Sequence, residues 1–487
     1  MESRDSKGES EMTKVEFNPY LSAPLYGRPS IEELFVEELQ VIEGEIPVDF
    51  SGAYIRNGPS QKYEPMERHH WFDGDGMLHG IYIKDGKVSY RNRYIETKGY
   101  QYEDKTKKSE WVGLMGNVLQ NPSFERLKNT SNTDVIYHNN NLLSLWYMSG
   151  EPYRIDAKTL ETLGVENFQG QLSTSISAHS KVDENTGELI FFDYGNKFPY
   201  MMYGVVSADG KSVHSVPIEL PGPRNPHDMW ITENHSILMD LPLFNDLEAL
   251  KKGRYKVKFH RELPSRFGVI PRYGSSEDIQ WFEAEPCYIY HSINAWEEGD
   301  EIVLIGCRVK EPQPPKNASA SEIERMMQYL QMNAQLHYWR LNRITGEVKE
   351  GELCDMNTEF PVMNLNYLGR KSRYSYNAHI ESALTLKFNG LVKYDTWTGG
   401  STKYMFGPHQ YGTEAAFAPK KNASCEDDGY VITYLYNEEL DHSELIILDA
   451  KQFDIGPIAR IALPQPVPMG FHATWISGEN FYGKEEA

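Results

Sequence analysis

The feature that most constrains the fold is a hairpin pattern that recurs along almost the whole chain. Alternating apolar and polar runs flank turn-forming residues, as in IYIKDGKVSYRNRYI (81–95), VIYHNNNLLSLWYM (135–148) and LVKYDTWTGGSTKYMF (391–406). Asp-Gly, Asn-Asn and Gly-Gly favour tight hairpins because these residues tolerate positive φ. The hairpins return about every 40–55 residues, the spacing that four-stranded propeller blades require. The pattern predicts an all-β propeller of about six to eight blades.

Few other segments have a regular pattern. Helical periodicity is best at 31–39, 246–251 and 321–333. Residues 1–15 are polar and are predicted to form a disordered tail, followed by a single propeller domain over 16–487 with inserted cap segments. The tail lacks the apolar core that a signal peptide has. No apolar run in the sequence approaches the roughly 20 residues that span a bilayer. We therefore expect a cytoplasmic protein.

Charge and cysteine content exclude several classes of function. The net charge is −21, from 49 basic and 70 acidic residues, so the surface repels phosphate backbones and nucleic acid is not expected as a partner. The four cysteines stand far apart and form no CxxC pair, which argues against a disulfide framework and against a thiolate zinc site.

Three apolar or aromatic segments allow two interpretations. They are 111–124, 197–206 and 259–273, the last with basic residues between Phe, Ile and Pro. Such segments either cover the core or form a hydrophobic cap that lines a substrate tunnel and touches a membrane surface. The second interpretation predicts peripheral membrane contact.

Four of the 15 histidines share a context that differs from the others. Each stands among small or apolar residues at a predicted strand end: His179 in SISAHSKVD, His227 in RNPHDMWIT, His291 in CYIYHSINAW and His472 in PMGFHATW. Inner strands of a propeller approach its axis, so one residue from each of several blades can meet there. Imidazoles bind Fe, Zn, Cu and Ni. At this point an iron site with four histidines and a zinc site with three histidines and water both remain open.

The sequence also resembles a known family. FSGAYIRNGPS (50–60), HHWFDGDGMLHG (69–80), EFPVMN (359–364), PHQYGTEAAFAPK (408–420) and the four histidine contexts are similar, in order, to the carotenoid cleavage oxygenases. The resemblance implies a seven-bladed β-propeller with a dome of loops and helices over an axial ferrous ion, Fe(2+). The ligands would be His179, His227, His291 and His472.

The resemblance further implies carboxylates that orient the ligands. Glu359 and Glu414 match two of these positions. The third position is occupied by Met148, and the nearest carboxylate is Glu151. Either a shift of the loop allows Glu151 to orient His179, or another group does so.

The implied reaction is the cleavage by O2 of a conjugated C=C bond in a carotenoid or apocarotenoid, giving two carbonyl products. The alternative is cleavage of a stilbene or phenylpropenoid. The same resemblance implies that stilbene-cleaving members have a Lys-Glu-Asp run where this chain has Trp146-Tyr147-Met148. The lysine of that run, which anchors the phenolate, is absent here, so Lys128 or Tyr94 would have to anchor the phenol. A non-enzymatic binding propeller is a third interpretation and predicts no tightly held metal.

Overall fold

The computed structural model describes residues 30, 32–67, 69–313, 331–382 and 386–483. The predicted tail at 1–15 and most of the predicted helix at 321–333 lie outside these ranges.

Antiparallel sheets follow one another along the chain, as the recurring hairpins predict. The first two strands are short and join two different sheets: β1 (Phe35–Val36) and β2 (Val41–Gly44). Blade 1 begins with β3 (Gly52–Pro59), β4 (Gly76–Lys84) and β5 (Lys87–Tyr94). Blade 2 comprises β6 (Asp134–His138), β7 (Asn141–Leu145), β8 (Tyr153–Ile155) and β9 (Thr162–Val165). Blade 3 comprises β10 (Lys181–Val182), β11 (Leu189–Tyr194), β12 (Tyr200–Val206) and β13 (Val213–Glu219).

The second half of the chain repeats this plan. Blade 4 and its inserted hairpin β16–β17 comprise β14 (Trp230–Ile231), β15 (His235–Asp240), β16 (Leu243–Asn245), β17 (Val257–Phe259), β18 (Ser265–Pro271) and β19 (Gln280–Ala284). Blade 5 comprises β20 (Tyr288–Glu298), β21 (Glu301–Val309), β22 (Ala334–Asn342) and β23 (Val348–Cys354). Blade 6 comprises β24 (Thr358–Val362), β25 (Tyr374–Ile380), β26 (Phe388–Asp395) and β27 (Gly400–Met405). Blade 7 comprises β28 (Gln410–Gly412), β29 (Ala416–Pro419), β30 (Gly429–Asn437), β31 (His442–Asp449) and β32 (Pro457–Ala462).

Both ends of the described chain close the ring. The last strand, β33 (Ala473–Ser477), pairs with β3 and is the innermost strand of blade 1, while β2 pairs with β32 at the outer edge of blade 7. Strand β1 pairs with β5 at the outer edge of blade 1. Exchanging strands across the seam leaves no open edge between the first and last blades. The fold is therefore the seven-bladed propeller that the resemblance implies.

The innermost strands converge on the axis and all begin at the same face. Innermost strands of neighbouring blades contact each other, for example β6 with β33 and with β10. Because strands within a blade alternate in direction, the connections between second and third strands and between blades leave from this face. The long connections 60–75, 95–133, 241–264 and 463–472 are of this kind. They cover one face of the propeller and form a dome.

The described residues contain few helices. The dome contains α1 (Lys98–Thr106) and α2 (Leu247–Lys251), and α3 (Gly478–Tyr482) follows β33. Single 3₁₀ turns occur at Trp71–Asp73, Val118–Gln120, Ser276–Asp278 and Leu365–Tyr367. Within the described ranges, none of these helices is long and apolar enough to cross a membrane.

The structure tests the local predictions individually. The predicted turns are confirmed at Asp85-Gly86 and at Asn139-Asn140, where both residues have positive φ. The predicted helix at 246–251 is α2, and the Asp246 side chain caps it by accepting from the Ala249 amide. The predicted helix at 31–39 is wrong, because the described part of this segment forms β1 and extends blade 1.

Two of the three predicted cap segments belong to blades instead. Residues 197–206 form β12 and its preceding turn, and 259–273 contain β18, a central strand of blade 4. Both strands are apolar because both of their faces are buried. Only 111–124 lies entirely in the dome.

Candidate metal centre

The four predicted histidines meet where the innermost strands begin. His179 stands two residues before β10, His227 three residues before β14, and His472 immediately before β33. His291 lies within β20, at a bulge where the pairing register with β21 shifts. A bulge redirects side chains locally, and here it accompanies a histidine that faces the axis from inside a strand.

Distances between the rings define a compact cluster. The ring centre of His179 is 4.6 Å from that of His227, 5.1 Å from His291 and 4.4 Å from His472. The ring centres of His227 and His291 are 5.3 Å apart. One ring nitrogen each of His179, His291 and His472 lies within 4.8 Å of the other two. The structure thus brings all four predicted residues together, with three of them forming the tighter group.

The chemistry of the cluster suits a metal ion. The Nε2 atoms of His179 and His291 are buried and have no hydrogen-bond partner among the described residues. Burial lowers the pKa of His179, His227 and His291 well below the usual range, so these imidazoles are neutral and can donate lone pairs. Buried nitrogens left without a partner are costly unless a ligand satisfies them. The group is therefore able to hold a metal ion.

Two of the histidines are oriented by buried glutamates. Nδ1 of His291 hydrogen-bonds Oε2 of Glu359, which also accepts from the Phe360 amide at 2.6 Å. Nδ1 of His472 lies 2.9 Å from Oε1 of Glu414, whose Oε2 accepts from the Ala473 amide at 2.6 Å. These contacts direct Nε2 of each ring away from its glutamate.

The same glutamates control the local charge. Burial raises the pKa of Glu359 to about 8 and also raises that of Glu414. Burial opposes charge on His472, but Glu414 together with Asp134 and Asp228 outweighs it and raises the pKa of this imidazole. A divalent cation between the histidines would favour the ionised carboxylates, because an opposite charge nearby stabilises them. Two carboxylates would balance its charge.

The other two histidines are held differently. No hydrogen bond from a described residue reaches the ring of His179 or of His227, in contrast to the glutamate-bound pair. His179 has a positive φ of 65°, and its backbone amide donates to Oδ2 of Asp134 at 2.9 Å. Asp134 is buried at the start of β6 in blade 2. Its carboxylate fixes His179 through the backbone rather than through the ring.

Glu151 does not fulfil its predicted role. Its carboxylate pairs with Lys98 at the surface, and its side chain is 46% exposed. The reason is the turn after β7, where Ser149 adopts a positive φ and directs the following residues outward. The buried position one turn earlier is occupied by Tyr147, whose ring centre is 6.5 Å from that of His227. The prediction that Glu151 orients His179 is therefore corrected.

An apolar cavity lies on the dome side of the histidines. Its volume is 150 Å³, and its lining comprises His227, His291 and His472 together with His70, Trp71, Phe72, Thr133, Tyr147, Tyr290, Met332, Phe360, Leu386 and Phe471. Six of these side chains, those of His70, Trp71, Phe72, Thr133, Phe471 and His472, come from the dome connections. The cavity can take up a flat, apolar molecule next to the histidines and keep bulk water from it.

A second cavity, of 160 Å³, lies along the axis on the opposite side of the cluster. It is lined by residues of the innermost strands of six blades and by Asp228 before the innermost strand of blade 4, and it contacts His179, His291 and His472. Asp134, Lys181 and Asp228 contribute charged side chains to its wall. The histidines thus separate an apolar cavity under the dome from an axial cavity whose wall contains charged side chains.

Neither candidate phenol anchor is available. Lys128 is buried and forms ion pairs with both Asp75 and Glu103. The hydroxyl of Tyr94 donates to the backbone oxygen of Ser30 at 3.3 Å. These contacts already satisfy both groups, so neither of them serves as the anchor that a stilbene-cleaving site would require.

Sequence reasoning missed Asp134 and Asp228. Asp228 directly follows His227 in RNPHDMWIT, so its position in the sequence was a usable signal. No such signal marks Asp134, because it lies 45 residues from His179, whose backbone amide donates to its carboxylate. Only the fold brings the two together.

Fold and site together define a class of protein: a seven-bladed propeller enzyme with an axial histidine cluster, able to hold a metal ion, beneath an apolar cavity. The family model described as retinal pigment epithelial membrane protein matches residues 27–477. The chain belongs to this family, which contains the carotenoid cleavage oxygenases, as the sequence resemblance indicated.

Curated relatives and solved structures agree. The carotenoid 9,10(9',10')-cleavage dioxygenase 1 of Phaseolus vulgaris is 36% identical over 474 residues, covering 90% of this chain and 86% of the relative. The crystal structure of Pseudomonas brassicacearum lignostilbene dioxygenase has a TM-score of 0.85 and 30% identity, covering 95% of this chain and all of the other. A cobalt-substituted Synechocystis apocarotenoid oxygenase has a TM-score of 0.81 and 26% identity, covering 93% and 97%. The non-enzymatic interpretation therefore has no support.

Proposed function

We propose that this protein is a non-haem Fe(II)-dependent dioxygenase that cleaves one conjugated C=C bond of a carotenoid or apocarotenoid. Both atoms of O2 enter the products, since an alkene R–CH=CH–R′ and O2 give the two aldehydes R–CHO and R′–CHO. The names of the plant relative and of the Synechocystis structure support this substrate class.

One observation is central to the proposal. Four imidazoles meet next to an aromatic cavity, and the buried Nε2 atoms of two of them have no hydrogen-bond partner among the described residues. An all-nitrogen set of neutral ligands with carboxylates behind it suits a divalent transition metal that keeps open positions. We infer that His179, His227, His291 and His472 hold Fe(II), which would supply O2 binding and activation.

The chain itself supplies position and surroundings. Phe72, Phe360 and Phe471 line the cavity and can hold a flat conjugated chain against the histidines. Glu359 and Glu414 keep two rings in place and balance the charge of the cation. Positioning of the alkene then decides which double bond is cleaved, because no side-chain acid or base is required by the overall reaction.

A specific observation favours a second candidate, the cleavage of a hydroxylated aryl alkene. Tyr147 and Tyr290 both line the cavity beside His227, and no described residue hydrogen-bonds either hydroxyl. These phenols could bind an oxygen of a stilbene or phenylpropenoid. The name of the Pseudomonas brassicacearum structure agrees with this alternative.

Paired product assays distinguish the two candidates. Iron content is first measured by mass spectrometry, with one Fe per chain expected. The Fe(II)-loaded protein is then exposed to O2 with β-apo-8′-carotenal in one reaction and resveratrol in another. Two carbonyl fragments from the apocarotenal alone are expected, and fragments from resveratrol alone would favour the second candidate. Absence of any product with iron bound would contradict both.

We also propose that the dome segment 111–124 contacts a membrane surface. Phe124 is 60% exposed and Leu119 is 49% exposed, and Phe124 packs beside the buried Trp111. Exposed apolar side chains of this kind suit contact with a lipid surface that holds an apolar substrate. Flotation with phosphatidylcholine vesicles tests this, and a Phe124→Ser variant that floats as well as the unchanged protein would contradict it.

A further inference from the structure

A buried ion pair lies at the axis, directly behind the histidines. The carboxylate of Asp228 is 2% exposed, and its Oδ1 lies 2.7 Å from Nζ of Lys181. Lys181 is itself only 17% exposed. Both side chains line the axial cavity, on the opposite side of the cluster from the cavity under the dome. Neither residue has a role in the function proposed above.

The contacts of Asp228 join three blades. Asp228 follows His227 at the entrance of blade 4, and its Oδ2 accepts from the backbone amide of Ser292 in blade 5 at 2.6 Å. Ser292 directly follows His291, and Lys181 stands two residues after His179 in blade 3. The Ser292 hydroxyl returns a bond to the Met229 carbonyl at 3.0 Å. One carboxylate therefore links three blades, in each case at a residue one or two positions from a histidine.

The relative positions of these three histidines depend on a contact of this kind. Neither His179 nor His227 has a ring partner among the described residues, and His291 lies in a bulge where the regular pairing of β20 is interrupted. Local strand pairing alone does not fix the separation of their imidazoles, because each belongs to a different blade. Ligand groups that are not held at the right separation bind a metal more weakly.

We propose that Lys181 and Asp228 form a positioning pair for the metal centre, which fixes the relative positions of His179, His227 and His291. The pair acts through the backbone and does not touch the metal or the substrate. This inference rests on the proposed metal centre, and its test separates the two.

A through-space charge effect predicts the opposite result for one of the two residues. Removing the Asp228 charge weakens binding of a nearby cation in either case. Removing the Lys181 charge strengthens it if only electrostatics acts, because a like charge disappears. If the pair positions the histidines, removing Lys181 weakens metal binding as well. The sign of the Lys181 effect is therefore decisive.

The experiment measures Co²⁺ affinity by competition with a chelator, and the visible absorption spectrum of bound Co²⁺, which reports ligand geometry. For Asp228→Asn we expect about a tenfold loss of affinity, and for Lys181→Met about a threefold loss, both with altered spectra. The double variant is expected to lose no more than Asp228→Asn alone, because the two residues act as a unit.

A buried aspartate elsewhere in the fold is the matched control. Asp183 joins Arg272 and Arg370 from other blades, but it lies in the hairpin after β10, at the end away from the histidines. Asp183→Asn is expected to lower the melting temperature and to leave Co²⁺ affinity within twofold.

Each outcome has one meaning. Unchanged or increased Co²⁺ affinity in Lys181→Met, with an unchanged spectrum, would overturn the proposal. If Asp228→Asn fails to fold, the result for Lys181→Met alone decides. If the unchanged protein binds no Co²⁺, the proposed metal centre itself fails.

Discussion

The two halves of the histidine cluster are built in different ways. His291 and His472 are held by their rings, since a buried glutamate binds Nδ1 of each imidazole. His179 and His227 have no such ring partner among the described residues, and the contacts near them are made by aspartates to backbone amides. Both halves nevertheless place their imidazoles within about the same distance of each other.

The difference shows that a ligand can be positioned at two levels. A glutamate on the ring controls both rotation and basicity of the imidazole. An aspartate on the backbone controls only where the residue stands, so rotation depends on packing around the ring. Metal affinity should therefore fall more when a glutamate beside His291 or His472 is removed than when an aspartate near His179 or His227 is removed.

The largest loss of metal affinity is expected when one of the histidines without a ring partner is removed. We expect His227→Ala to lose at least about 100-fold in metal affinity, and to lose activity, as completely as His472→Ala does. Metal content after gel filtration measures this. One metal per chain retained in His227→Ala would show that the cluster needs only three histidines.

The next largest effects should distinguish the two glutamates. Glu414 uses both oxygens, one for His472 and one for the Ala473 amide, so a glutamine must lose one of these bonds. Glu359 uses Oε2 for both contacts while Oε1 has no partner among the described residues, so a glutamine can keep both. We expect Glu414→Gln to lose about 100-fold in metal affinity and Glu359→Gln about tenfold. Equal losses, by Co²⁺ titration, would contradict this reading of the hydrogen bonds.

A smaller loss of metal affinity is expected when Asp134, which accepts from the His179 amide, is replaced. In Asp134→Asn one of the two backbone amides, of Val135 or of His179, would face an NH2 group instead of an oxygen. We expect about a threefold to tenfold loss of metal affinity, since a buried donor left without an acceptor is costly but the ring itself is not a partner. A loss as large as that of Glu414→Gln would remove the distinction between the two halves.

The smallest effect is expected at Glu151. Its carboxylate pairs with Lys98 in solvent, and such pairs contribute little to stability. Glu151→Gln should leave metal affinity within twofold and the melting temperature almost unchanged. A clear loss of metal in this variant would restore the role in orienting His179 that the sequence suggested.

Much of this architecture could be predicted from the sequence. Hairpins with Asp85-Gly86 and Asn139-Asn140 depend on local backbone preferences, which are readable directly. The four histidines and Glu359 and Glu414 stand in motifs whose order resembles a known family. Their convergence follows once the number and direction of the blades are fixed.

The errors arose where tertiary context decides. Residues 197–206 and 259–273 have the composition of a cap, but strands buried on both faces have the same composition. Segment 98–106 was not predicted as a helix because KGYQYEDKT has no apolar stripe, and it begins at the capping side chain of Thr97. Glu151 was chosen by its closeness in sequence, whereas the turn at Ser149 directs it to solvent.

The closure of the ring has a consequence for how the protein is made. His472 precedes β33, the strand that enters blade 1 beside a strand from the opposite end of the described chain. During translation, the ribosome delivers His179, His227 and His291 long before this strand emerges. A complete set of imidazoles therefore exists only after the seam has formed. We therefore expect that the proposed metal enters at the last stage of maturation and that its uptake would report, in a pulse-labelled cell, the moment at which the ring closes.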